Sequence, residues 1–158
     1  MSPETPTIDD ATLLARFPGH PIDRDSAAHY RGRLARQLLF DRCNDCGAWY
    51  RTPRPVCAAC WCSNLKPTAV AGNGIIYLAV FLHQGPPAQG VDYRTPYPVV
   101  TVELDEEPGL RFTSTVVGSP NESIRIGRRV RLDWIDRLET PVPVFRLVED
   151  DTTGRADP

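Results

Sequence analysis

Cys43-Asn44-Asp45-Cys46-Gly47 and Cys57-Ala58-Ala59-Cys60-Trp61 are two C-x-x-C turns with ten residues between Cys46 and Cys57, and their reading decides the fold. Two cysteines three apart on a tight turn point both sulfurs at one ion. Two such turns supply the four thiolates of a tetrahedral zinc site. Gly47 permits the tight backbone after the first turn. Trp49-Tyr50-Arg51 is expected as a strand of a ribbon hairpin, with Pro53-Arg54-Pro55 bending the chain back to the second turn. Four thiolates leave no open coordination position, so Zn2+ at Cys43, Cys46, Cys57 and Cys60 is expected to be structural. A four-thiolate site also suits iron. A thioredoxin-like dithiol would need one C-x-x-C at a helix start in a βαβ setting, which is missing here. A module of about 25 residues buries too little apolar area to fold alone, so metal binding supplies that free energy. Cys62 is expected as a small half-exposed thiol rather than as a substitute for Cys60.

Beyond the second turn the texture changes to short β-branched and aromatic runs. They fall at residues 66–70, 75–82, 97–104, 110–117, 130–135 and 144–148, separated by turns such as Gly72-Asn73-Gly74 and Pro108-Gly109. Five or six strands with no long helix between them predict a small antiparallel barrel of the OB type. On the other side, Asp25-Ser26 signals a helix start, and Ala27, Tyr30, Leu34 and Leu38 recur at helical spacing, so one amphipathic helix is expected over 26–38. The predicted architecture is mainly β: an N-terminal helix, a four-cysteine rubredoxin-like zinc ribbon and a C-terminal OB-fold antiparallel barrel. The expected division is a flexible arm at 1–25, with at most a helical turn at 12–17, then helix plus ribbon at 26–63. The OB-fold domain follows at 64–148 and a disordered acidic tail at 149–158.

Charge narrows the function classes. The formal net charge is -2 over 158 residues, whereas a nucleic-acid binder normally carries the basic excess that neutralises phosphates. Locally the balance differs. Seven arginines between Arg24 and Arg54 face only Asp25, Asp41 and Asp45, and Arg128, Arg129 and Arg131 form a second cluster. Arginine grips phosphate with two parallel hydrogen bonds, so Arg54, Arg128, Arg129 and Arg131 are candidates for an anionic ligand. No catalytic constellation is visible. His20, His29 and His83 lack a carboxylate or cysteine at catalytic spacing, and Ser114 and Ser119 lack the strained turn of a hydrolase nucleophile. Glu103, Asp105, Glu106 and Glu107 are expected at a solvated hairpin tip. No apolar run approaches the roughly 18 residues needed to span a bilayer, and the first residues show no signal-peptide pattern. A cytoplasmic setting is therefore expected, where clustered cysteines bind metal rather than form disulfides.

Taken in order, Leu39-Phe-Asp-Arg-Cys43-Asn-Asp-Cys46-Gly47, Pro53-Arg54-Pro55-Val-Cys57-Ala-Ala-Cys60-Trp61, Ala71-Gly-Asn-Gly74-Ile-Ile-Tyr77, Pro96-Tyr97-Pro98-Val-Val-Thr-Val-Glu-Leu104 and Ile126-Gly127-Arg-Arg-Val130 resemble a known family. It is that of the acyl-CoA-associated zinc-ribbon/OB-fold proteins, domain of unknown function 35. The resemblance implies a non-catalytic accessory subunit of a thiolase-like acyl-CoA enzyme, an aldolase or thiolase, with some members serving hotdog-fold hydratases. It implies that helix and ribbon dock on the partner and that the barrel helps form the CoA site. Docking then falls to Tyr30, Arg31, Leu34, Trp49 and Trp61, and the CoA phosphates to Arg54, Arg128, Arg129 and Arg131. The segments Phe17-Pro-Gly-His20 and Ala28-His-Tyr-Arg-Gly32 look closest to members that pair with lipid-transfer-type aldolases of steroid side-chain degradation. The alternative is a zinc-ribbon/OB-fold nucleic-acid-binding protein, since both modules also serve that purpose.

Overall fold

Two short helices precede the strands in the computed structural model, which describes residues 8–88 and 90–149. Helix α1 (Asp10–Arg16) starts at Asp9, whose carboxylate accepts the Thr12 amide at 2.7 Å. Leu13 and Phe17, four apart and 1% and 2% exposed, pack on Ala27, Tyr30 and Leu34 of α2 (Ala27–Leu34). The segment expected as a flexible arm therefore holds, in its described part, a helix with its own small core. Residues 1–7 and the tail from 150 lie outside the described residues. Helix α2 ends four residues earlier than expected, because Arg36 takes a left-handed φ of 54°. The Gln37 amide then donates to Gly32 O at 2.8 Å and the Arg36 amide to Arg33 O at 2.9 Å, which satisfies the last carbonyls. Ser26 stands at the N-cap, but its hydroxyl bonds Asp23 at 2.7 Å rather than a helix amide.

The ribbon sheet has the antiparallel order β2-β1-β3, with β1 at Leu39–Cys43, β2 at Trp49–Tyr50 and β3 at Leu65–Ala69. The run at 66–70 thus joins the ribbon rather than the barrel. Next along the chain come β4 (Asn73–Leu82), β5 (Tyr97–Leu104), β6 (Arg111–Ser114), β7 (Arg129–Arg137) and β8 (Thr140–Leu147), in the sheet order β6-β5-β4-β7-β8. Just past β6 the chain closes the sheet on itself. Val117 N–H donates to Phe145 O at 2.9 Å, and Phe145 N–H to Thr115 O at 2.8 Å. Inside sit Ile76, Val100, Val102, Val130 and Phe145, all fully buried. Leu38 and Phe40, at the root of the ribbon, enter the same core. Each such side chain contributes about 1.5–3 kcal/mol, so ribbon and barrel are welded by their shared apolar interior. The mainly-β architecture with ribbon and OB barrel is the observed one.

Strand β4 turns an apolar stripe to solvent. A bulge between Ile76 and Leu78 shifts its register, so Tyr77 and Leu78 are both exposed, and Ile75, Val80 and Leu82 also face outward. Strand β7 pairs with β4 only at residues 73–75. The second half of β4 therefore has β5 on one side and, among the described residues, no strand on the other.

Candidate metal centre and the surfaces around it

The sulfurs of Cys43, Cys46, Cys57 and Cys60 all lie within 4.8 Å of one another. Cys43 and Cys60 are 3.6 Å apart and Cys46 and Cys57 3.5 Å. A tetrahedron with metal–sulfur bonds of about 2.3 Å has edges of roughly 3.8 Å, so the set fits a zinc ion with little adjustment. Two of the thiols are prepared to ionise. The Tyr50 hydroxyl, 3.2 Å from the Cys57 sulfur, leads in drawing that thiol down to about 6. The Cys46 amide, 3.4 Å from the Cys43 sulfur, leads in holding Cys43 below the ordinary thiol range. The other two resist. The Ala48 amide pulls Cys46 down, but the Cys43 and Cys57 sulfurs and lost hydration outweigh it and push that thiol up to about 12. The Cys62 amide likewise pulls Cys60 down, and the Cys62 sulfur with lost hydration pushes it up to about 11. Four thiolates coexist only when a cation replaces the missing protons.

Carboxylates at the turn after β5 lock the centre to the barrel. They were expected to be solvated, yet each has a partner. Glu107 accepts the Trp49 amide at 2.8 Å and Glu106 the Ala71 amide at 2.6 Å, tying the ribbon to the β5–β6 turn. Glu103 pairs with Arg111 at 3.0 Å, and Asp105 holds Arg129 with two bonds of 2.8 and 2.5 Å.

The candidate arginines consequently separate. Arg129, clamped by Asp105, is spent within the chain. Arg54 lies over the Tyr50 ring at 4.4 Å, in a cleft of about 450 Å³ between ribbon and barrel that Arg51, Arg111 and Glu107 also line. Arg128 and Arg131 meet at a different cavity, of about 710 Å³, where Arg146 joins them. Sequence reasoning missed Arg146, which stands directly opposite Arg131 in the β7–β8 register. Directly opposed like charges destabilise a sheet. Asp133 offsets one of the two by bonding Arg146. Gly118 makes room there, since a Cβ on it would lie 2.5 Å from the Arg146 guanidinium.

Comparison with known proteins assigns the family. The family models for the ChsH2 rubredoxin-like zinc ribbon domain and the ChsH2 C-terminal OB-fold domain match residues 31–65 and 68–134. The chain is also similar to a solved structure described as the Ltp2-ChsH2(DUF35) aldolase. That likeness has 33% identity and a TM-score of 0.70 over 81% of this chain and 98% of that one. The chain belongs to the ChsH2/DUF35 family. Its ribbon is accordingly a rubredoxin-like zinc ribbon, with Zn2+ as the metal its four close cysteines suit. A DUF35 domain-containing scaffold protein of Methanocaldococcus jannaschii is 27% identical over 72% of this chain and 83% of its own length. A probable enoyl-CoA hydratase alpha subunit of Thermomonospora curvata is 34% identical over 82% of this chain. The chain spans only 39% of that subunit's length. A DUF35 protein of Sulfolobus solfataricus, 10% identical with a TM-score of 0.53, shares the fold.

For a ChsH2/DUF35 chain the surface left open is informative. Tyr30 and Leu34 are covered by α1, Arg31 bonds Ile8 O and Asp10, and Trp49 is partly buried beneath Arg42. Of the five residues expected to dock, Trp61 alone is fully open, at 81% exposure. It occupies the slot after the second C-x-x-C that Gly47 fills after the first, and both take left-handed φ, 64° and 82°. Glycine adopts that conformation freely and tryptophan does not. The Arg111 guanidinium lies 3.5 Å from the centre of the half-exposed Tyr77 ring, and Phe81 packs against the core. Among the described residues no helix is long and apolar enough to cross a membrane.

Proposed function

We propose that this chain is the non-catalytic subunit of a thiolase-like acyl-CoA enzyme, and that it docks through Trp61 and the outer face of β4. The observation that carries the reading is the likeness to the Ltp2-ChsH2 aldolase structure over nearly the whole of the matched chain. Within the thiolase-like class it favours a lipid-transfer-type aldolase as partner, such as one of steroid side-chain degradation. A strained, exposed tryptophan and an outward stripe of Ile75, Tyr77, Leu78, Val80 and Leu82 are costly in isolation and gain their value on burial by a partner. The CoA phosphates fall to Arg128, Arg131 and Arg146, which line one open cavity and carry the guanidinium fork that grips phosphate. Arg54 belongs to a separate cleft, and Arg129 keeps its place on Asp105.

Co-expression with a thiolase-like aldolase tests both parts. The two chains are expected to co-elute on size exclusion, and omission of this chain to abolish turnover or partner solubility. In the complex, Arg131→Ala is expected to raise the KM for the acyl-CoA about tenfold or more while Arg54→Ala changes it little. Independent elution with unchanged turnover would refute the subunit role. An unchanged KM in Arg131→Ala would refute the phosphate assignment alone.

A further inference from the structure

Cys62 lies outside the four-thiolate set, yet its sulfur stands 3.2 Å from that of Cys43 and 3.4 Å from that of Cys60. With Cys43 and Cys60 at 3.6 Å, the three sulfurs form a nearly equilateral triangle. Its sides approach the roughly 3.8 Å edge of a zinc–thiolate tetrahedron. Residues i and i+2 of an extended strand stand about 6.6 Å apart. The left-handed φ of 64° at Trp61 is what folds Cys60 and Cys62 onto each other.

The backbone also holds Cys62 where it makes these contacts. The Cys57 amide donates to the Cys62 carbonyl at 2.8 Å, which fastens the segment to the second turn.

We propose that Cys62 is a reserve zinc ligand that exchanges with Cys60 at one corner of the site. With zinc bound, the Cys62 sulfur would take the place of the Cys60 sulfur, and the proton of Cys62 would pass to Cys60 across their 3.4 Å contact, so that charge and ligand number would be conserved. Cys60 is exposed and Cys62 less so, which means that chemical loss of the outer ligand leaves the ribbon still closed around its metal.

Cobalt(II) in place of zinc reports the number of thiolates through its charge-transfer and d–d absorption. Cys60→Ser is expected to bind one cobalt per chain with a four-thiolate spectrum and a zinc affinity within about tenfold of the natural chain. Adding Cys62→Ser is expected to abolish that spectrum and to weaken zinc by a further hundredfold or so. Identical spectra for the single and double variants would overturn the proposal. If Cys60→Ser does not fold, the zinc-loaded natural chain decides. Brief alkylation followed by peptide mass mapping is expected to find the label on Cys60 in some molecules and on Cys62 in others. Label on Cys62 alone would overturn it.

Discussion

Replacing Trp61 by glycine is expected to leave the isolated chain as stable as before or more so, while weakening its hold on the catalytic partner. The two effects have separate origins. At φ 64° the indole-bearing residue incurs the left-handed cost of about 1–2 kcal/mol, which glycine does not. Glycine in turn loses about 0.4–1 kcal/mol more through the freedom of the unfolded chain. The net change is a stabilisation between roughly zero and 1.5 kcal/mol. The partner effect is larger and opposite. A tryptophan buries about 150–250 Å² when covered, and this one is 81% exposed in the free chain. At about 25 cal/mol per Å², burial is worth roughly 3–5 kcal/mol. Ordering the side chain costs about 0.5–1.5 kcal/mol of that. The remaining roughly 1.5–4.5 kcal/mol corresponds to a loss of about 10- to 2000-fold in affinity. Denaturant unfolding of the isolated chain, with zinc content measured alongside, gives the first quantity. Titration against the purified partner gives the second. Affinity within threefold of the natural chain would refute the docking role. A loss of stability beyond about 1 kcal/mol would refute the strain argument instead.

Three further outcomes are expected. Glu107→Ala removes the acceptor of the Trp49 amide and should cost about 1–3 kcal/mol, with faster hydrogen exchange at Trp49 and no change at Val130. Chelation of the zinc should expose residues 44–63 to exchange while the amides of β5, β7 and β8 stay protected. On readdition, the raised Cys46 and Cys60 thiols must each give up a proton, so at least two are released per zinc and affinity increases with pH through neutrality. Burial holds His29 below its usual pKa despite a 3.3 Å contact of its Nδ1 with Leu39 O, so the unfolded chain binds the extra proton. Stability should therefore be fully present above about pH 6.5 and decline as pH falls toward the folded pKa, and His29→Gln should flatten that slope in urea titrations at stepped pH.

What could be read along the chain was whatever short-range geometry dictates. Two C-x-x-C turns suffice to place four sulfurs, and alternation with turn residues suffices to mark the strands of an OB barrel. What escaped depends on pairing between distant segments. Leu13 and Phe17 are a two-residue apolar stripe, which reads as an isolated turn. They become a helix because α2 covers them and because Thr140 in β8 bonds the Arg16 carbonyl at 3.1 Å. The acidic turn after β5 looked solvated, since its partners Arg129, Ala71 and Trp49 lie 24 to 58 residues away. Arg146 could not be grouped with Arg131 before the β7–β8 register was known. The one local signal left unused was Trp61 in a slot where its counterpart is Gly47.

Three of the places where local rules are broken share a logic. A sequence whose levels agree has no reason to keep a tryptophan at φ 64°, an arginine opposite an arginine, or an apolar stripe on an unpaired strand edge. None of them is loosely held. The knuckle bearing Trp61 is held by bonds from the Trp61 amide to Cys57 O and from the Cys57 amide to Cys62 O, and Arg146 is set by Asp133 and the close approach of Gly118. Strand β4 is anchored along its length by β5. Rigid presentation of exposed groups is what a docking subunit requires, because the ordering entropy is then spent on folding and not again on binding. On the proposed reading, the exposed groups spread over a knuckle, a strand face and an open cavity are what a second surface would complete.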